Sequence, residues 1–524
     1  MTVMTATKGK ILWVDDEIEL LRSHILLLSE KGYNVETATN GEDAVQLVKE
    51  RPFDLVFLDE MMAGIGGLRT LSMIKDIRPE LPVVMITKNE DEGLMEEAIG
   101  VKISDYLTKP VNPSQVLLAC KKFLEGRKIT GAHVSRDYIK EFNEISIALQ
   151  NNLTADEWTA LYAKLVDRSL ELDLHPELGL KQTLTDQFRE CNVEFSKFVE
   201  RNYRNWLGQA KRPTLSVDIV EKYLIPQLQP GRSVFFFVID CLRMDQWMMM
   251  ESVLREYFDI SREYYYSILP TATPYSRNAI FSGAFPDEIE VRFPEIWEKW
   301  EDDDNSQNRY EHQFLENLLE RRKVHLKPES KYVKILDPEF GRSIEQSINS
   351  YAKNPLTSIV VNFVDMLAHG RSDSQLLKEI APDEAAYRSL TQSWFMHSSL
   401  LGMLKTLARQ KNVKIVLTTD HGSIRSLRST KVIGDREAST NLRYKYGRNL
   451  KCDERHAIFV KNPADFRLPK RSVTINYLVA KEDYYFVYPT EFHKYVNQYR
   501  DSFQHGGISM EEMILPVVTL DPKP

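Results

Sequence analysis

Apolar residues gather in short unbroken runs at both ends of the chain, and nearly every run stops at a polar residue. In the first region KILWV (10–14), DLVFL (54–58) and PVVMI (82–86) alternate with stretches whose apolar positions recur every three or four residues, one from Ile18 to Lys31. That alternation predicts a doubly wound α/β unit over 8–125. From about 126 to 215 the strand runs vanish. RDYIKEFNEISIALQNN (136–152), TADEWTALYAKLVDRSLEL (154–172) and TDQFRECNVEFSKFVERNYRNWL (185–207) carry only the helical period, and Thr154 with Glu157 forms a capping box. This middle segment is read as a helical connector, ending near Lys211–Pro213. Over 216–524 strand runs return. Val234 to Ile239 has no polar alternation and ends in Asp240, as a strand buried on both faces would. Two later segments, IVVNFVDMLAHG (359–370) and KIVLTTDHGS (414–423), repeat the apolar run followed by Asp and His. The fold class is therefore α/β at both ends, with helices between.

Bulk composition narrows the classes. At 524 residues the chain exceeds one core, given roughly 150 residues per domain. A hydrophobic share of 43% and a charged share of 27% are those of a globular protein. A net charge of −8 offers no general attraction to DNA or anionic lipid. The four cysteines, Cys120, Cys191, Cys241 and Cys452, form no CxxC pair and read as reduced thiols. MTVMTATKGK has no apolar signal region, and no run of 18 apolar residues occurs. These features predict a cytoplasmic protein without membrane insertion.

In the first domain polar residues mark the strand ends: Asp15 and Asp16 after KILWV, Asp59 after DLVFL, Thr87 after PVVMI, and Lys109 before Pro110. Carboxylates converging on one sheet edge repel unless a hard cation bridges them, and Mg²⁺ takes such oxygen ligands. A lysine and a hydroxyl beside them suit the oxygens of a phosphoryl group on an aspartate. The set resembles the receiver domain of two-component response regulators, a flavodoxin-like fold. The resemblance implies that Asp59 is phosphorylated, that Asp15, Asp16 and Asp59 bind Mg²⁺, and that Thr87, Tyr106 and Lys109 form the switch. It also implies a sensor histidine kinase as partner.

The third domain carries a second set. SILPTATPYSRNAIFSG (267–283) presents Thr271 and Thr273 before a helix-like run, a natural phosphate site. Asp365 and His369 stand four residues apart, on one side of a helical turn. Asp420 and His421 follow, then His505. Together with Asp240 these are enough donors for two divalent metals with open positions, and mixed Asp/His ligation favours zinc, with manganese as the alternative. Singly, Asp240 and Asp420 could be helix caps and His369 a core histidine.

The order of these elements resembles the alkaline phosphatase superfamily in its PglZ-type branch. It implies that Asp240, Thr273, Asp420 and His421 hold one zinc and Asp365, His369 and His505 the other, with a threonine nucleophile passing through a phosphothreonine. Pro270, Thr273 and Gly283 match the register of phosphodiesterase relatives, which favours Thr273 over Thr271. Where those relatives place an asparagine this chain has Ser276-Arg277, and Arg277 is a candidate fork for phosphate oxygens. Basic residues interleaved with tyrosines, Arg425 and Arg428, then Arg443 and Lys445, suit single-stranded nucleic acid; a solvated loop is the other reading. The acidic run 301–305 reads as an exposed insertion or lid.

A receiver, a helical connector and a PglZ-type domain in that order resemble the PorX-type response regulators, linked to type IX protein secretion in Bacteroidota. The resemblance implies a phosphodiesterase acting on linear or cyclic oligonucleotides, controlled by Asp59 and pairing as a homodimer on phosphorylation. A competing reading is a non-enzymatic adaptor that binds a nucleotide or a protein partner such as a sigma factor or secretion component. Direct duplex DNA binding is disfavoured by the absence of a basic recognition helix.

Overall fold

The computed structural model describes residues 8–88, 103–295, 309–435, 439–469 and 474–524. The acidic run 301–305 lies outside them. Contacts divide the chain between Ile139 and Lys140 into two compact units.

The first unit is built on a five-stranded parallel sheet. Its strands are β1 (Lys10–Val14), β2 (Asn34–Ala38), β3 (Leu55–Asp59), β4 (Val83–Thr87) and β5 (Asp105–Thr108), ordered β2-β1-β3-β4-β5. Helices Arg22–Glu30, Gly41–Glu50 and Gly67–Ile77 supply the crossovers from β1 to β4, and helix Pro113–Cys120 follows β5. Strand β1 sends Leu12 and Val14 into one buried cluster and Ile11 and Trp13 into another. Both faces are therefore covered, as a parallel sheet requires. The helix expected from Ile18 begins as a 3₁₀ turn, Ile18–Leu21, and becomes α-helical at Arg22. All five marked polar positions fall at the carboxyl edge of this sheet.

The second unit holds helices Ala155–Asp173 and Lys181–Trp206 together with the large α/β region. The capping box forms as read: the Thr154 hydroxyl accepts from the Glu157 N–H at 3.3 Å, and the Glu157 carboxylate accepts from the Thr154 N–H at 2.8 Å. The helices dock through polar contacts as well as packing. Asn192 Oδ1 accepts from the Met510 N–H at 2.8 Å, and the Tyr266 hydroxyl donates to the Ala155 carbonyl at 2.7 Å.

The six-stranded sheet of this unit contains β6 (Ser233–Ile239), β7 (Phe258–Tyr266), β8 (Lys331–Ile335), β9 (Leu356–Val361), β10 (Val413–Thr418) and the C-terminal strand Ile514–Pro522. The order is β7, C-terminal strand, β10, β6, β9, β8, with β10-β6-β9-β8 parallel and the other two pairings antiparallel. Every residue of β6 is buried, as its unbroken apolar run requires. Phe235, Phe237 and Ile239 enter one core; Val234, Phe236 and Val238 enter the other. The consequence is functional: β6, β9 and β10 run parallel, so Asp240, Asp365 and Asp420 emerge at one edge, where ligands of such sheets bind. Among the described residues, no helix is long and apolar enough to cross a membrane.

Candidate active site

At the first sheet edge Lys109 Nζ bridges two carboxylates, lying 3.0 Å from Asp15 Oδ2 and 2.9 Å from Asp59 Oδ2. Asp15, Asp16 and Asp59 bring oxygens close enough to share one cation. Burial pushes the Asp59 carboxyl above its ordinary range, with the neighbouring Asp15 and Asp16 adding to it and Lys109 opposing it. The Thr87 hydroxyl donates to Glu60. Tyr106 on β5 is 44% exposed, a position open to rearrangement.

The second edge gathers two donor clusters, Asp240 with Asp420 and His421, and Asp365 with His369 and His505. In the first, His421 Nε2 stands 3.6 Å from Asp240 Oδ1 and 3.7 Å from Asp420 Oδ2. Its Nδ1 lies 3.1 Å from the Gly422 carbonyl. That hydrogen bond places the ring proton on Nδ1 and turns the Nε2 lone pair toward the carboxylates. In the second cluster Asp365 Oδ1 is 3.4 Å from His369 Nε2 and 3.6 Å from His505 Nε2. Zinc bonds of about 2.0–2.1 Å set tetrahedral ligand atoms roughly 3.3 Å apart, so these separations suit a shared cation. Asp420 Oδ2 and Asp365 Oδ1 are buried and accept no hydrogen bond among the described residues, so the donor chemistry fits the ion the sequence implies. The His421 and His505 rings stack at 4.1 Å and join the clusters. They differ in exposure: Asp240, Asp420 and His421 are buried, whereas the His369 side chain is 49% exposed.

The backbone serves the first cluster. Cys241, directly after Asp240, adopts φ 65, a left-handed conformation that a non-glycine residue holds at a cost of about 1–2 kcal/mol. Asp420 Oδ1 accepts from the Cys241 N–H at 3.3 Å, and Thr419 Oγ1 accepts from the Leu242 N–H at 3.0 Å. The strained turn is thus tied to the loop carrying the other ligands.

The two candidate threonines are treated differently. Thr273 begins helix Thr273–Ser282 and is half-buried. Its Oγ1 is 2.9 Å from His421 Nε2 and 3.4 Å from Asp240 Oδ1. Thr271 is fully buried, and its hydroxyl donates to the Gly507 carbonyl at 2.7 Å and accepts from the Gly506 N–H at 3.1 Å. It braces the turn after His505. Glu512 braces the same turn, accepting from the Gly507 N–H at 2.8 Å while paired with Arg443. A Cβ on Gly507 would lie 2.6 Å from the Ala480 carbonyl oxygen, so only glycine fits there.

The residues read as substrate contacts are placed otherwise. Arg277 is buried, its Nη1 donating to Asp240 Oδ2 at 2.6 Å and its Nε to Glu311 Oε1 at 2.5 Å. It holds a ligand carboxylate instead of facing solvent, because two buried acids claim its fork. Arg443 is fully buried against Glu512, Arg425 pairs with Asp501, and Arg428 with Glu482 and Asp483. Lys445 is buried with its ammonium donating to the Ser439 carbonyl, and burial lowers its pKa to about 7. Each acid partner lies far away in sequence, which made these cations look free. Sequence reasoning missed Glu311, which holds Arg277 and accepts from the Tyr332 hydroxyl. No motif around residue 311 signals it.

Three family models match this chain. The BREX system PglZ alkaline phosphatase-like domain matches residues 219–520, the response regulator receiver domain residues 11–121, and the PorX response regulator linker domain residues 128–207. Among curated proteins, the alginate biosynthesis transcriptional regulatory protein AlgB of Pseudomonas syringae pv. tomato is 36% identical over 130 residues, 25% of this chain and 29% of that protein. The transcriptional regulatory protein ZraR of Salmonella typhimurium is 34% identical over 152 residues, 29% of this chain and 34% of that protein. The chain thus spans about a third or less of these relatives' length. Among solved structures, the receiver domain of NtrX from Brucella abortus is 34% identical, covering 22% of this chain and 98% of its own, with a TM-score of 0.21.

Proposed function

The chain belongs to the PorX-type response regulators, whose output is a PglZ alkaline phosphatase-like domain, and on that premise we propose that it is a cytoplasmic, zinc-dependent phosphodiesterase acting on linear or cyclic oligonucleotides and regulating type IX secretion. The observation that carries the reading is the pair of Asp/His clusters joined by His421 and His505, with the Thr273 hydroxyl 2.9 Å from His421.

In this reading Asp240, Asp420, His421 and Thr273 hold one zinc and Asp365, His369 and His505 the other. The bound ions supply positive charge that lowers the hydroxyl pKa and offsets charge on the phosphoryl oxygens. With Asp240 Oδ2 held by Arg277, its Oδ1, 3.4 Å from Thr273 Oγ1, is the oxygen left to face the ion, and the hydroxyl proton passes to solvent. Thr273 Oγ attacks phosphorus as the bond to the leaving oxygen breaks, and that oxygen takes a proton from solvent and departs as an alcohol. The phosphoryl ester stays on the threonine until water attacks it, restoring the hydroxyl and releasing a phosphomonoester. Arg277 keeps Asp240 aimed, and Thr271 keeps His505 in place.

In the receiver, Asp15, Asp16 and Asp59 hold Mg²⁺, and a sensor histidine kinase delivers the phosphoryl group to Asp59. Lys109 then exchanges its carboxylate partners for phosphoryl oxygens, and the face carrying Tyr106 pairs with its copy in a second chain. The test is metal analysis of the purified chain followed by hydrolysis of an aryl phosphomonoester, an aryl phosphodiester and short oligonucleotides. Two zinc ions per chain and preference for diesters support the proposal. A zinc-loaded chain that cleaves none of them overturns it.

A further inference from the structure

Helix Ala155–Asp173 closes on an acid and has no basic residue in its last turn, although the carboxyl end of a helix dipole favours a cation. A tertiary partner holds Asp173 there. Arg388, buried on helix Glu384–Met396, donates to Asp173 Oδ2 from Nε at 3.0 Å and from Nη2 at 2.6 Å. Asp173 lies in the segment matched as linker and Arg388 in the region matched as PglZ domain. The connector therefore lends a charge to the output domain.

The network continues inward. Arg388 Nη1 donates to buried Asp245 Oδ2 at 3.1 Å, and Asp245 Oδ1 accepts from Arg243 Nε at 2.9 Å. Arg243 Nη2 also donates to Asp245 Oδ2 and stands 2.7 Å from Glu384 Oε2. Two buried guanidinium groups thus divide one buried carboxylate, and Asp173 satisfies the edge of Arg388 that Asp245 leaves. Such a network keeps one geometry, because each buried charge that moves strands another.

Arg243 is where this network meets the donor clusters. A Cβ on Gly422 would meet Arg243 Cγ at 3.3 Å, so its stem packs against the residue after His421. Its guanidinium lies 5.5 Å from the ring of Phe503, which comes two residues before His505. The turn has no slack elsewhere: the Gly422 N–H donates to the Glu512 carbonyl at 3.2 Å, and a Cβ on Gly422 would lie 2.0 Å from the Glu511 carbonyl oxygen. One side chain thus touches the backbone neighbours of both histidines whose rings stack between the clusters.

We infer that Asp173 is a positioning residue for His421 and His505, acting through Arg388, Asp245 and Arg243. Without its charge Arg388 turns wholly to Asp245, which must then serve two cations, and Arg243 loses part of its hold. The inference rests on the reading that the two clusters hold zinc, since the residues that orient metal ligands decide how tightly an ion is kept. Asp173 itself touches neither ion nor substrate.

Titrating the metal-free full chain with zinc against a chromophoric chelator reads the effect without any hydrolysis. Asp173→Asn, which keeps the shape and removes the charge, should weaken zinc binding by about tenfold, and Asp173→Glu should restore most of it. Lys181→Met removes a different ion pair between the connector helices and the α/β region, that with Asp383, and should leave the affinity at the parent value. Parent affinity in Asp173→Asn would overturn the inference, as would an equal loss in Lys181→Met or in Asp173→Glu. A parent chain that takes up no zinc would overturn the proposed function itself, and the inference with it.

Discussion

Both sheet edges deliver an aspartate from the end of a buried parallel strand, yet Asp59 and Asp240 are held in opposite ways. Asp59 meets a lysine, a point charge on a flexible stem, which also spans to Asp15. Asp240 meets Arg277, a planar fork whose other edge is clamped by buried Glu311. The first arrangement can let go, because an ammonium re-pairs readily with incoming phosphoryl oxygens; the second cannot without stranding two buried acids. The donor sets differ in the same sense: oxygens alone at Asp59, oxygens and imidazoles at Asp240. A site built to change state and a site built to stay fixed thus start from the same strand-end device.

The largest expected effect separates the two threonines. Thr273→Ala should lower turnover of an aryl phosphodiester by about a thousandfold or more, as loss of a nucleophile does. Thr271→Ser should keep most activity, since a serine hydroxyl can still bridge Gly506 and Gly507. Steady-state kinetics decide, and equal losses in both variants would contradict the assignment. Next comes the clamp. Arg277→Met leaves Asp240 and Glu311 buried without their cation, and urea unfolding should register a loss of about 3–5 kcal/mol. A change under 1 kcal/mol would mean the fork is dispensable.

A smaller effect is pH-dependent. Burial, opposed by the Asn192 amide, raises Glu511 to about 7; in the unfolded chain a glutamate titrates near 4.3. Folding therefore takes up a proton between these values, and stability falls as pH rises through that window. Glu511→Gln should match the parent at pH 4 and exceed it by roughly 3–4 kcal/mol at pH 8, read from thermal unfolding across pH. The smallest effect on hydrolysis should come from Lys109→Ala. It leaves turnover unchanged but abolishes the monomer-to-dimer mass shift expected by light scattering with Mg²⁺ and a phosphate mimic. A shift that survives would show that Lys109 is not the receiver's responsive group.

Strand ends were the legible part of this chain. A buried parallel strand is largely apolar, so the first polar residue beyond the run marks the sheet edge; Asp15, Asp59 and Asp240 were visible by that rule, and Asp420 followed two threonines later. Asp365 and His369 announced themselves by helical spacing. Partners across the fold were not legible. Arg277 and Arg443 looked like substrate contacts because Glu311 and Glu512, 34 and 69 residues away, carry no local sign of pairing with them. The strain at Cys241 was equally hidden, since it comes from the hydrogen bonds of the Asp420 loop and not from the residue's own preference.

The central claim, that Thr273 carries the phosphoryl group at the second edge, is tested most directly by acid-quenching a diester reaction and locating the covalent adduct by fragmentation mass spectrometry. The account predicts a phosphoryl ester on Thr273 in the zinc-loaded chain and none in Thr273→Ala. An adduct on Thr271, or sustained turnover in Thr273→Ala at the parent rate, would contradict it.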